Sequence, residues 1–104
     1  MDREQLKQGV VAAIDRRGQE LIAFGEDIFA HPELGYKEHR TAARLEAKVR
    51  TMGIPYQTGI GITGLKGRLA GREHRVSFGI MGELDSVLCP EHPQADPKTG
   101  AAHS

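Results

Sequence analysis

The feature that most constrains this chain is a single change of hydrophobic period at Gly53-Ile54-Pro55. Before that point apolar residues recur every three or four positions, the repeat of an amphipathic helix. After it they alternate with small and polar residues, the repeat of a strand. In the first half, Leu6, Val10, Ile14, Leu21, Phe24 and Ile28 fall at helical spacing, and Asp2 with Gln5 three positions later makes a capping pair. A long helix is expected from about Glu4 to Ala30, ended at His31-Pro32 because the residue before proline is pushed out of the helical region. Gly9, Gly18 and Gly25 each cost about 1 kcal/mol relative to alanine inside a helix, which suggests a kink or close packing there. A second helix, about Lys37 to Met52, follows from Ala42, Leu45, Val49 and Met52, with Gly53 and Pro55 as its stop. Its other face carries Arg40, Arg44, Lys48 and Arg50, with Glu46 and Arg50 in the favourable order for an ion pair. A solvated face explains these charges, with a binding patch as the alternative.

Beyond Pro55 a short strand is expected near Tyr56. Thr63–Leu69 and Arg75–Met81 are expected to pair as a hairpin through the turn Ala70-Gly71-Arg72-Glu73-His74. From Cys89 to Gly100 the pattern collapses; Pro90, Pro93 and Pro97 fall within eight positions, and the stretch reads as a loop. Two helices followed by a β-hairpin make the fold class α/β.

At 104 residues the chain holds one small domain at most, and its 38% hydrophobic content makes a thin core. Fourteen basic and fourteen acidic residues cancel, so nothing electrostatic points to nucleic acid or an anionic membrane as partner. The single Cys89 has no internal disulfide partner, and no apolar run behind Met1 resembles a signal peptide, so a cytoplasmic setting is expected.

Candidate chemistry gathers near the carboxyl end. Glu83 and Asp85 follow the expected last strand, where α/β enzymes place reactive groups. Spaced by two on extended backbone, they point the same way, which suits sharing a cation or orienting metal-binding histidines. The competing reading is an acidic turn that merely ends a strand. Cys89, Glu91, His92, Asp96 and His103 are also ligand types, but their spacing fits no structural zinc pattern. Cys89 has neither a helix start nor an evident base beside it, so it reads as a loop residue rather than a nucleophile. His31 suits the negative end of a helix better than catalysis.

His31-Pro32-Glu33-Leu34-Gly35, the charged helix ending at Gly53, Gly59-Ile60-Gly61 with Thr63-Gly64, and Gly82-Glu83-Leu84-Asp85-Ser86-Val87 together resemble a known family. It is that of the metal-dependent amidohydrolases related to aminoacylase, hippurate hydrolase and aminobenzoyl-glutamate hydrolase, in the metallopeptidase family that also holds carboxypeptidase G. Thr99-Gly100-Ala101-Ala102-His103-Ser104 resembles the lead-in to that family's Cys-Gly-His ligand motif.

The resemblance implies hydrolysis of an amide bond in an N-acyl amino acid or small peptide, with a divalent metal pair: zinc, with manganese or cobalt as alternatives. It also implies that residues 1–104 are the amino-terminal part of a zinc-exopeptidase-like three-layer α/β/α catalytic domain, without the second, dimerisation and lid domain. The parent protein is then expected to be a homo-oligomer. By the same resemblance Asp85 is the carboxylate that orients a metal-binding histidine. Glu83 stands where some members carry a metal-binding His and others an Asp, so the chain departs from the His form. His103 matches no usual ligand. No metal ligand is expected within the chain; the ligands and the general base are expected after Ser104, and the isolated segment is expected to be inactive and to self-associate through uncovered apolar surface. The alternative is a small α+β protein-binding module, or a decayed remnant without activity.

Overall fold

The computed structural model describes residues 1–103. The chain divides into two units, residues 1–30 and a second that begins at His31. The first is one helix, α1 (Arg3–Phe29). Its start is fixed reciprocally: the Gln5 amide donates to Asp2 Oδ1 at 2.8 Å and the Asp2 amide to Gln5 Oε1 at 2.9 Å. The helix runs without interruption through its three glycines. A Cβ at Gly9, Gly18 or Gly25 would meet nothing within 4 Å, so no close packing explains them among the described residues. Leu6, Val10, Val11, Ile14, Leu21 and Ile22 are each 52–59% exposed, leaving apolar surface on this helix uncovered.

The second unit starts with α2 (His39–Thr51), which ends at Met52 with Gly53 in the left-handed region at φ 68°, as a glycine stop does. Two strands follow, β1 (Tyr56–Ile60) and β2 (Gly64–Gly67), paired antiparallel with Tyr56 opposite Gly67 and Ile60 opposite Gly64. The register slips between Gln57 and Ile60, where Gly59 takes a positive φ. The connecting turn needs positive φ at both Gly61 and Ile62. Ile62, at φ 81°, is a β-branched side chain in a conformation that suits glycine or asparagine. The helix packs on β2, and Tyr56 closes its far end: the Tyr56 hydroxyl donates to Glu46 Oε1 at 3.0 Å, while Arg50 donates to both the Tyr56 oxygen and Glu46.

Two helices and then a hairpin is thus the observed order, but the expected hairpin partners are not the observed ones. Gly64–Gly67 pairs back onto Tyr56–Ile60 rather than forward onto Arg75–Met81, because a three-residue turn containing glycine closes a shorter loop than the Ala70–His74 connection. Residues 75–81 form no strand, and Val76, Phe78 and Ile80 are exposed. The tail also departs from the expectation of a plain loop. Strands β3 (Val87–Leu88) and β4 (Ala101–Ala102) pair antiparallel and close the proline-rich segment at its base. Inside it Asp96 Oδ1 accepts the Lys98 and Thr99 amides at 2.8 Å each, and the Cys89 amide donates to the Gly100 carbonyl at 2.8 Å. The interior of this unit is small: Pro32, Ala101 and Ala102 are buried, along with the polar Glu38, Thr41 and Ser86.

Candidate functional site

The polar burial marks the site. Glu38 is the cap residue ahead of helix α2, and its side chain makes no capping bond to that helix. The first-turn amides that lack a partner within the helix are instead met from seven and eight residues earlier. Glu33 Oε2 accepts the Arg40 amide at 3.0 Å, and Glu33 Oε1 accepts the Thr41 amide at 2.6 Å and the Thr41 hydroxyl at 2.7 Å. A carboxylate at this place satisfies orphan donors and sits in the positive field of the helix start. Partial burial pushes the Glu33 carboxyl up, but the Thr41 hydroxyl and amide, the Arg40 amide and the charge of His39 outweigh it and hold the group below the ordinary range.

Freed from capping, Glu38 turns to the hairpin: its Oε2 accepts the Thr63 hydroxyl at 2.6 Å. That bond is the main reason its carboxyl lies below the ordinary range, against the opposing effect of burial. The chain reaches α2 through a tight turn in which the Lys37 amide donates to the Leu34 carbonyl at 2.9 Å and Tyr36 takes a left-handed φ of 63°.

The same short stretch holds the acidic segment. The Glu33 carbonyl accepts both the amide and the hydroxyl of Ser86, each at 2.8 Å, and Leu34 bridges Ser86 in parallel. Asp85 comes near this stretch, since a Cβ built on Gly35 would be 4.0 Å from Asp85 Oδ2. Residues fifty positions apart in sequence are therefore joined at one place.

Of the residues singled out from the sequence, Asp85 and Glu83 lie on irregular, exposed backbone ahead of β3 rather than beyond the end of a strand. The placement after a strand fails with the Arg75–Met81 pairing on which it depended. His92 Nδ1 accepts the Gln94 amide at 3.0 Å, and Asp96 is taken up by the loop it organises. Burial, and a hydrogen bond to Glu91, push the Cys89 thiol up, which disfavours thiolate. His103 keeps a buried Nε2 with no hydrogen-bond partner among the described residues. No three His, Cys, Asp or Glu side chains come together among the described residues in a way that would hold a metal ion. In the sequence Glu33 and Ser86 stand out only as members of the stretches that carry the family resemblance, and Thr41 and Glu38 do not stand out at all. One available signal was a helix start with no Ser, Thr, Asp or Asn at its cap, which calls for an acceptor from elsewhere.

Comparison with known proteins points to hydrolases. YhaA of Bacillus subtilis (strain 168), whose name assigns it provisionally to the amidohydrolases, is 22% identical over 107 residues, covering all of this chain and 27% of its own length. The IAA-amino acid hydrolase ILR1-like 4 of Arabidopsis thaliana is 27% identical over 71 residues, which is 68% of this chain and 16% of the relative. The thermostable carboxypeptidase 1 of Saccharolobus solfataricus is 24% identical over 80 residues, 76% of this chain and 20% of the relative. The chain thus spans about a quarter or less of the length of these relatives. No protein-family model matches the chain, and no solved structure matches it at a significant level. The relationship is distant and is to amidohydrolases and carboxypeptidases. No helix among the described residues is long and apolar enough to cross a membrane.

Proposed function

We propose that this chain is the amino-terminal part of a metal-dependent amidohydrolase that cleaves the amide bond of N-acyl amino acids or small peptides. The observation that carries the reading is the junction of Glu33-Leu34 with Ser86. It brings together the His31–Gly35 and Gly82–Val87 stretches, on which the family resemblance rests, and sets Asp85 beside Gly35. The distant similarity to hydrolases along the chain supports the same reading. In this reading the segment supplies support rather than the metal centre. Asp85 accepts a hydrogen bond from a metal-binding histidine in the remaining length of the protein, and Glu83 is its exposed neighbour.

The test uses the protein as its cell produces it, tagged at the amino terminus, assayed for release of free amino acid from an N-acyl amino acid panel. Asp85→Asn is expected to lower turnover by about 10- to 100-fold, the usual effect of removing a residue that orients a metal ligand. Glu83→Gln is expected to cost less. Equal turnover in wild type and Asp85→Asn contradicts the role of Asp85. A tagged product of this chain's size with no hydrolysis at all favours the small α+β binding module.

A further inference from the structure

We infer that Glu33 is a positioning residue for Asp85, an inference that rests on the role given to Asp85 above. Glu33 is held at both ends. Its carboxylate is fixed by the Arg40 and Thr41 amides and the Thr41 hydroxyl, three donors on the first turn of α2. Its carbonyl takes the amide and hydroxyl of Ser86, the residue next to Asp85. Thr41 is 1% exposed and Ser86 5%, so both anchors sit away from competing water. Two residues further on, a Cβ built on Gly35 would come 4.0 Å from Asp85 Oδ2, so the Asp85 carboxylate is near this backbone. The segment carrying Asp85 has no strand to hold it before Val87, so the direction of that carboxylate is set through Glu33 by the rigid start of α2. A carboxylate whose only task was to cap α2 would not need its own carbonyl engaged twice by a residue 53 positions away.

The experiment is NMR on the full chain, comparing wild type with Glu33→Gln and Thr41→Val. Glu33→Gln replaces an acceptor oxygen with a donor that faces backbone amides. Thr41→Val removes only the hydroxyl donor. Both are expected to speed hydrogen exchange at the Ser86 amide, by about tenfold for Glu33→Gln, the size expected from loss of one well-formed hydrogen bond. Both are also expected to move the carboxyl carbon resonance of Asp85, while the amides of Leu45–Val49 keep their protection. If only the Arg40 and Thr41 amides change and the Ser86 exchange and the Asp85 carboxyl resonance match wild type, Glu33 is a helix cap and the inference is overturned. Should Glu33→Gln prevent folding, Thr41→Val decides by the same two signals. These signals need no substrate, so absence of hydrolysis by the protein as its cell produces it would reject the proposed function without altering them. Normal hydrolysis with unchanged signals would reject the positioning role alone.

Discussion

Thr63→Val removes one hydroxyl from the turn between β1 and β2 and leaves the side-chain shape almost unchanged. In the wild type that hydroxyl donates to Glu38 Oε2 at 2.6 Å, and Glu38 is only 7% exposed. A hydrogen bond to a charged group contributes about 1.5–3 kcal/mol, and the abandoned carboxylate is too enclosed to recover the loss fully from water. A cost of about 2 kcal/mol is expected, a factor of about thirty in the folded-to-unfolded ratio. The pH dependence gives the sharper test. Because the Thr63 bond holds the folded Glu38 carboxyl below its ordinary value of 4.5, its contribution is present above pH 4.5 and is lost as pH falls through the lower folded value. The gap between wild type and Thr63→Val should therefore be full at pH 7 and shrink below pH 4.5. Urea titrations of both proteins at pH 7 and at several acid values measure this, with Glu38→Gln and the double variant completing the cycle. A gap that stays constant with pH, or a double-variant coupling near zero, would refute the reasoning.

Gly64→Ala should disrupt the hairpin at a cost of about 1–3 kcal/mol, because the new Cβ would be driven into the backbone carbonyl oxygen of Ile60; loss of amide protection across β1 and β2 is the readout. Gly18→Ala should instead raise helix content by circular dichroism, with a gain of about 1 kcal/mol, since open space surrounds that position; a fall would mean the glycine packs against a partner. Cys89, with its thiol pushed up by burial and Glu91, should alkylate more slowly at pH 8 than a free cysteine peptide, and equal rates would contradict that assignment.

What could be read from the sequence depended on how local the cause was. Asp2 and Gln5 declare the start of α1 within one turn, and His31-Pro32 and Gly53 with Pro55 declare the helix ends through backbone sterics alone. The limits of both helices therefore came within two residues of those expected. Strand pairing was less legible, since Gly64–Gly67 had a run with strand character on either side and alternation does not say which run it joins. The short turn at Gly61–Thr63 decided it, at the cost of a left-handed Ile62 that no propensity would place there. The site was least legible. Glu33 meets partners eight and 53 residues away, and Glu38 meets Thr63 across 25, so no short motif shows these contacts. Asp85 stood out by its spacing from Glu83 and took its role from the family resemblance, while the hydrogen bonds that place its neighbour Ser86 run to the Glu33 carbonyl across 53 residues.

The most direct test of the account is the product analysis of an N-acyl amino acid incubated with the protein as its cell makes it. The account predicts equal amounts of free acid and free amino acid, with release abolished by a chelator and restored by zinc, manganese or cobalt. Intact substrate after prolonged incubation with the metal-supplied protein, across acyl groups and amino acids, would contradict it.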